Sequence, residues 1–207
     1  MTTLNLEYRA RVPETGVPAP AVVLVHGWLG DETVMWIFAA SAPAGAALFS
    51  PRAPFTVDGG YGWSVKPGDA ASFERGQTAL REFVLNLPRA YPVDPARLAL
   101  VGFSQGAAMA GTLLLAAPEL ARGAALLSGF LPPEAAAWAT PGRLAGKRVF
   151  LAHGRADETV AVDEARRVRD LLTGAGAATD YGEYDVGHKM NPPAMRALKH
   201  WLAETLA

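Results

Sequence analysis

The chain of 207 residues contains no cysteine. This absence excludes disulfide bonds, zinc sites with cysteine ligands, iron–sulfur clusters and every mechanism that uses a cysteine nucleophile. The sequence also lacks a large excess of charge, because 19 basic residues stand against 20 acidic ones and leave a formal net charge of −1. Proteins that bind nucleic acid carry a concentrated excess of basic residues, so we expect no nucleic-acid partner.

The sequence also shows no pattern typical of a targeting segment or a membrane-spanning segment. The first seven residues carry neither the basic stretch nor the apolar run of a signal peptide. No apolar run approaches the roughly 20 residues that a membrane-spanning helix needs. We therefore expect a cytoplasmic protein without a stable membrane anchor. The length predicts one domain over residues 1–207 and is compatible with a homodimer, although it does not decide the oligomeric state.

What the sequence does contain is a series of short apolar runs separated by helical patterns. Runs without polar alternation are typical of parallel strands that are buried on both faces, and they occupy residues 21–25, 98–103, 124–127 and 149–152. Residues 181–186 alternate in polarity and predict a strand nearer the edge. Helical patterns occupy residues 74–87, 105–117 and 163–173, and a last helix follows Asn191. This alternation predicts an α/β fold with a mostly parallel central sheet and helices on both faces.

A G-x-S-x-G motif follows the second predicted strand. Gly102, Ser104 and Gly106 form this motif where the strand meets the next predicted helix. A serine on such a sharp turn projects its hydroxyl from the sheet edge, where helix N–H groups can stabilise developing negative charge. Ser104 is therefore the candidate nucleophile, and the alternative is a serine that only caps the helix.

A serine hydroxyl needs a base, and four histidines are present. His188 lies in a loop between the last predicted strand and the last helix, from which its imidazole can reach a serine at the same sheet edge. His26 and His153 each end an apolar strand, so we expect them to support turns. His200 lies within a helix, four residues before Glu204, and is predicted to face solvent.

The base in turn needs an acceptor that fixes its tautomer and stabilises the imidazolium. Asp157, in the loop after residues 149–152, is the candidate, and Glu158 is its nearest rival. The alternative for Asp157 is an ordinary exposed loop carboxylate. The order Ser104, Asp157, His188 matches the order of nucleophile, acid and histidine in α/β hydrolases.

Seven short segments form an ordered set of motifs over nearly the whole chain. They are HGWLGDE at 26–32, SPRAP at 50–54, GGYGW at 59–63, GFSQG at 102–106, LSGFL at 127–131, AHG at 152–154 and YDVGH at 184–188. This set resembles that of the small bacterial carboxylesterases related to acyl-protein thioesterases, the phospholipase/carboxylesterase family of the α/β-hydrolase fold. One departure is Leu29, which stands where many members have glycine.

The resemblance implies a serine carboxylesterase that hydrolyses short- to medium-chain esters through an acyl-enzyme. Ser104 would be the nucleophile, His188 the base and then the acid, and Asp157 the orienting group. No segment is long enough for a large cap domain, so we expect an accessible site. The Pro/Gly-rich stretch 51–68 is predicted to be a long loop beside that site.

The resemblance also implies an oxyanion hole formed by two backbone N–H groups, those of Trp28 and Gln105. Because Leu29 replaces a glycine, the Leu29 N–H is the alternative to that of Trp28. Side chains near the motif loops are candidates for substrate contacts, and their alternative is ordinary loop packing. These candidates are Trp28, Leu29, Tyr61, Trp63, Phe130 and Met190.

The expected partner is a small-molecule ester, and this chemistry needs no metal and no other cofactor. An acyl thioesterase or lysophospholipase of the same family is the alternative with the same chemistry. A catalytically silent hydrolase fold that binds a ligand is the alternative from a different class.

Overall fold

The computed structural model of the protein describes residues 4–14 and 16–207. The strands are β1 (Tyr8–Arg11), β2 (Ala19–Val25), β3 (Ala47–Pro51), β4 (Phe55–Val57), β5 (Gly60–Gly62), β6 (Val93–Phe103), β7 (Gly123–Leu127), β8 (Arg148–Gly154) and β9 (Ala178–Tyr184). The α-helices are α1 (Ala70–Ala90), α2 (Gln105–Ala116), α3 (Val162–Gly174) and α4 (Pro192–Thr205). Short 3₁₀ helices span Val34–Ser41, Pro118–Leu120 and Pro133–Trp138.

The main sheet has the strand order β1-β3-β2-β6-β7-β8-β9. Strand β1 pairs antiparallel with β3, and every other pair in this sheet is parallel. The direction of strand succession reverses between β2 and β6. Ligands of open α/β sheets bind at the carboxyl ends of the strands beside such a reversal. The loops after β2 and β6 are therefore the expected centre of a site.

Apolar side chains cover both faces of this sheet and explain why the strands are buried. Helices α1, α2 and α3 pack on one face through residues such as Leu80, Met109 and Val168. Helix α4 and the 3₁₀ helix Val34–Ser41 pack on the other face, with Trp201 at the centre of that layer. Each large apolar side chain that is fully buried stabilises the fold by about 1.5–3 kcal/mol.

The predicted α/β architecture is confirmed, with parallel strands where the four apolar runs lie. Strand β9 pairs with β8 alone, so its predicted position at the edge is also confirmed. The predicted end of the first helix at residue 87 is wrong, because α1 continues through Pro88 to Ala90. The Tyr91 N–H donates to the Leu87 carbonyl at 2.9 Å and closes this last turn.

Several β-strands of the structure have no counterpart among the predicted elements. Strands β1 and β3 extend the sheet beyond β2, and the hairpin β4–β5 lies within the stretch that was predicted to be a loop. The hairpin strands have three residues each, which is too short for a periodic pattern to show. Within residues 4–14 and 16–207, no helix is both long enough and apolar enough to cross a membrane.

Candidate active site

Ser104 occupies a strained turn between β6 and α2. Its backbone has φ 55° and ψ −119°, a conformation that costs a non-glycine residue roughly 1–3 kcal/mol. Two hydrogen bonds hold the turn: the Ser104 N–H donates to the Leu127 carbonyl at 2.9 Å, and the Ala107 N–H donates to the Ser104 carbonyl at 2.9 Å. The side chain is only half-buried. This geometry is that of a nucleophile elbow and not of a simple helix cap.

Both glycines of the motif stand where a side chain has no room. A Cβ on Gly106 would overlap the Val25 carbonyl oxygen at the end of β2, and a Cβ on Gly102 would overlap the Gly106 carbonyl oxygen. Helix α2 therefore begins in direct contact with the neighbouring strand, which is possible only without a Cβ at these positions.

His188 and Asp157 meet at the same edge of the sheet. The His188 Nδ1 lies 2.7 Å from the Asp157 Oδ2, and the Asp157 carboxylate is buried. The imidazole packs against the ring of Phe103, with 5.0 Å between the two ring centroids. Because Phe103 immediately precedes Ser104, the paired side chains of His188 and Asp157 lie beside the segment that carries Ser104.

The surroundings of Asp157 keep its carboxylate charged. Burial by itself raises the pKa of Asp157, but N–H groups of Val160, Thr159 and His188 donate to the carboxylate and bring the pKa below its ordinary value. The rival acid, Glu158, is exposed. The contacts therefore favour Asp157 over Glu158 as the partner of His188.

A second buried imidazole stands behind Asp157. The His153 Nε2 lies 2.8 Å from the Val160 carbonyl oxygen and 3.4 Å from the Asp157 Oδ2. A carbonyl oxygen can only accept a hydrogen bond, so this nitrogen carries the hydrogen. His153 supports the turn that holds Asp157, as the sequence predicted for it. His200 is exposed, with its Nε2 3.0 Å from Glu204, and it lies away from this group.

The loop after β2 lies directly against the elbow. The Gly30 N–H donates to the Gly27 carbonyl at 3.2 Å and closes a turn, in which Leu29 has φ 65°. A positive φ at this position of a turn favours glycine, which accounts for the glycine that many family members have where this chain has Leu29. A Cβ on Gly27 would lie 3.2 Å from the Ser104 Cβ. The Trp28 N–H follows directly on this close contact with Ser104, the candidate nucleophile.

The Gln105 N–H approaches from the other side, in the first turn of α2, where no preceding helical carbonyl can accept from it. The Gln105 side chain holds a loop, a role that its position in the GFSQG motif does not indicate. Its Oε1 accepts from the Trp63 N–H at 3.0 Å, and its Nε2 donates to the Ser64 Oγ at 2.9 Å.

Trp63 is placed differently from what its predicted substrate contact requires. Its side chain is fully buried, and its Nε1 donates to the His26 carbonyl at 2.9 Å. A side chain without exposed surface supports the loop instead of lining an open pocket.

Arg52, in the SPRAP segment, anchors the same region. It donates to both carboxylate oxygens of Glu32 at 2.6 and 2.8 Å, forms an ion pair with Glu7, and lies 4.6 Å from the centre of the Tyr61 ring. The hydrogen bonds to Glu32 raise the pKa of Arg52. In the sequence, the SPRAP motif is the only signal that points to Arg52.

The remaining candidates for substrate contact differ in exposure. Leu29 is exposed, whereas Trp28, Tyr61, Phe130 and Met190 are half-buried. Met190 packs against the apolar layer of α4, and the Tyr61 N–H donates to the Gly30 carbonyl at 3.1 Å. Contacts of these five residues with a substrate stay a prediction.

Comparison with known proteins shows which family the chain belongs to. The sequence model of the phospholipase/carboxylesterase family matches residues 9–206. The chain belongs to this family. Membership makes it an esterase-type hydrolase, and the α/β-hydrolase fold expected from the sequence is confirmed.

Individual known proteins are similar to this chain at low sequence identity. The chain is 24% identical over 192 residues to acyl-protein thioesterase 1 of Candida albicans, which covers 80% of this chain and 83% of that protein. The structure of a carboxylesterase from Mesorhizobium loti superposes with a TM-score of 0.83 at 26% identity, over 98% of this chain and 97% of that one. A Bacillus cereus carboxylesterase superposes with a TM-score of 0.84 at 23% identity, over 97% and 95% of the two chains, and this likeness concerns the fold.

Proposed function

We propose that the protein is a serine carboxylesterase that hydrolyses short- to medium-chain carboxylic esters with Ser104, His188 and Asp157. The observation that carries this proposal is the 2.7 Å contact between the His188 Nδ1 and the Asp157 Oδ2, at the sheet edge where the strained Ser104 stands. A buried carboxylate in this position holds the imidazole in the tautomer whose Nε2 is free to accept a proton.

The reaction follows from these positions. The Ser104 Oγ attacks the ester carbonyl carbon while the His188 Nε2 takes its proton, and the tetrahedral oxyanion accepts hydrogen bonds from the N–H groups of Trp28 and Gln105. His188 then gives the proton to the leaving alcohol as the C–O bond breaks. Water repeats the sequence on the acyl-enzyme, which releases the carboxylic acid and restores Ser104.

Two observations support the expected substrate size. Ser104 is half-buried, and the His188 side chain is 23% exposed, so an ester can reach both groups directly. The segment after β7 contains only the short 3₁₀ helix Pro133–Trp138 before β8 begins, which is too little for a cap domain. A small, uncharged ester fits such an accessible site.

The test of this proposal is the variant Ser104→Ala. We expect it to keep the melting temperature of the wild type within a few degrees and to lose hydrolysis of 4-nitrophenyl butyrate by roughly 10⁴–10⁶-fold. Labelling by a fluorophosphonate probe should disappear in the same variant. Hydrolysis or labelling that persists without Ser104 would rule out the assignment.

The second candidate is an acyl thioesterase, which the likeness to the Candida albicans protein favours. Matched oxygen and sulfur esters with acyl chains of about 2–16 carbons separate the two candidates, because the two esters of a pair differ only in the leaving group. A higher kcat/KM for the oxygen esters of shorter chains supports the carboxylesterase. A preference for long-chain thioesters supports the alternative.

A further inference from the structure

His26 is a buried imidazole at the active-site edge that the proposed reaction does not use. It follows the last residue of β2 and has no exposed surface. Its Nδ1 lies 2.7 Å from the carbonyl oxygen of Gly27, and its Nε2 lies 2.9 Å from the backbone nitrogen of Ala53. Both ring nitrogens thus contact backbone groups, one in the turn beside Ser104 and one in the loop after β3.

These two contacts determine the protonation state of the ring. The Gly27 carbonyl can only accept a hydrogen bond, so Nδ1 carries the hydrogen, and the Ala53 N–H can only donate, so Nε2 carries none. Burial lowers the pKa of His26, although the hydrogen bond to Gly27 and the charges of Asp31 and Glu32 oppose this. His26 is therefore a neutral imidazole in a single tautomer.

The bond to Gly27 acts on the oxyanion hole through peptide geometry. The Gly27 carbonyl and the Trp28 N–H belong to one planar trans peptide group, in which the C=O and N–H bonds point in opposite directions. Donors that hold the Gly27 oxygen therefore also set the direction of the Trp28 N–H. Two donors do so: the His26 Nδ1–H at 2.7 Å and, at the longer distance of 3.2 Å, the Gly30 N–H. Gly30 packs closely on the same ring, since a Cβ there would lie 2.7 Å from the His26 Nδ1.

We propose that His26 is a positioning residue of the esterase reaction: its Nδ1–H holds the Gly27 carbonyl and thereby aims the Trp28 N–H at the oxyanion. The proposal rests on the proposed function, because it presumes that the Trp28 N–H serves the Ser104 reaction. The Nε2 contact with Ala53 has a different part, since it ties the ring to the loop of Arg52 and prevents the imidazole from turning.

Two substitutions separate these two contacts. The amide nitrogen of an asparagine can take the place of Nδ1, so His26→Asn keeps a donor for the Gly27 carbonyl and loses the acceptor for Ala53. The longer side chain of His26→Gln reaches the place of Nε2, so it keeps the Ala53 contact and loses the Gly27 contact. Both variants remove the buried ring, and their melting temperatures are expected to fall by similar amounts.

The expected result is a difference in kcat between the two variants. His26→Gln should lose about 10²–10³-fold in kcat with little change in KM, as when one oxyanion donor is lost, whereas His26→Asn should stay within about 10-fold of the wild type. A trifluoromethyl ketone forms an adduct with Ser104 that places an oxyanion in the hole. Its affinity should fall more in His26→Gln than in His26→Asn. Equal losses in both variants, or losses that follow the melting temperature, would overturn the proposal.

A measurement on the wild-type protein is independent of activity and of variant folding. In ¹⁵N NMR spectra of histidine-labelled protein, His26 should show a protonated Nδ1 and an unprotonated Nε2 at pH 7. The opposite tautomer would overturn the positioning role even if Ser104 is the nucleophile. Conversely, activity that persists in Ser104→Ala refutes the proposed function and leaves the tautomer assignment standing.

Discussion

Backbone strain in the described residues 4–14 and 16–207 is concentrated at one edge of the sheet. The non-glycine residues with positive φ in that part of the chain are Leu29, Ser104 and Ser128, which lie in the loop after β2, after β6 and after β7. Each such residue costs about 1–3 kcal/mol, and the surrounding packing must hold it in place. The strained backbone positions are thus the predicted nucleophile itself and two residues in neighbouring loops.

At this scale the role of the acid can be tested by removing its charge alone. Asp157→Asn should reduce kcat by about 10⁴-fold, because an amide nitrogen facing the His188 Nδ1 favours the wrong tautomer of the imidazole. Steady-state kinetics on 4-nitrophenyl butyrate measures this loss. The matched control is Glu158→Gln, which changes the neighbouring exposed carboxylate and should leave kcat within twofold, about the error of such assays. An equal loss in both variants would contradict the choice of Asp157.

Among the structural elements, α2 depends most closely on its neighbours. It is buried along nearly its whole length and starts against the end of β2. A helix that is apolar on all sides belongs in the interior of a protein, and here it lies between the sheet and α1. The position of Ser104 therefore depends on the contact between α2 and β2.

This contact can be tested with one methyl group. Gly106→Ala should lower the yield of folded protein or shift the melting temperature down strongly, because the added Cβ would overlap the Val25 carbonyl. The control is Gly174→Ala at the end of α3, where an added Cβ meets nothing within 4 Å. That variant should be neutral or more stable by up to about 1 kcal/mol. Thermal melts of the two variants measure this difference. A Gly106→Ala protein as stable as the wild type would contradict the close contact between Gly106 and the Val25 carbonyl.

A second group of contacts joins α3, β9 and the loop of Asp157. The Glu183 carboxylate accepts hydrogen bonds from Arg166 at 2.8 Å and from the Tyr181 hydroxyl at 2.7 Å, and Arg155 lies 3.4 Å away. The bonds from Arg166 and Tyr181 lower the pKa of Glu183 to about 2. Burial and the bond to Glu183 raise the pKa of Tyr181 to about 12.

The lowered pKa predicts the sign of a pH effect on stability. The unfolded chain binds a proton at Glu183 near its ordinary pKa of about 4.3, whereas the folded protein does so only near 2. The stability that Glu183 contributes is therefore present above about pH 4.3 and is lost as the pH falls towards 2. Urea denaturation should show that Glu183→Gln is less stable than the wild type at pH 7, with the difference smaller at pH 3. A difference that grows on acidification would contradict this.

For the molecule as a whole, the important feature is the accessibility of the site. The His188 side chain is partly exposed. The loops around Ser104 are held by buried hydrogen bonds of Gln105 and Trp63 and by the partly buried ion pair of Arg52. Such contacts indicate that the site is already formed in the free protein, so that no cover has to open before substrate binds.

The kinetic consequence is a saturation curve without a threshold. With tributyrin or a similar partly soluble ester, the rate should follow a simple hyperbola through the solubility limit, because no lid has to be displaced at a lipid–water interface. A detergent-solubilised sample of the same ester is the control. A sharp rise in rate when droplets form would contradict an open site.

Features that depend on local pattern can be predicted from the amino-acid sequence. Uninterrupted apolar runs indicate β2, β6, β7 and β8, because strands buried on both faces need no polar alternation. The spacing of Gly102, Ser104 and Gly106 indicates the elbow, because the tight turn excludes side chains on either side of the serine. Asp157 and His188 were identified because each follows a predicted strand whose carboxyl end lies at the same sheet edge.

Contacts between distant segments, in contrast, become visible only in the folded chain. Trp63 is buried under the loop of His26, and Gln105 holds the segment of Trp63 by a bond across 42 residues. The two imidazoles His26 and His153 both stand at the carboxyl ends of buried strands, yet one contacts the Gly27 carbonyl and the other lies behind Asp157. Local sequence cannot distinguish such roles, because the partner of a buried polar group is chosen by packing between segments that are far apart in the chain.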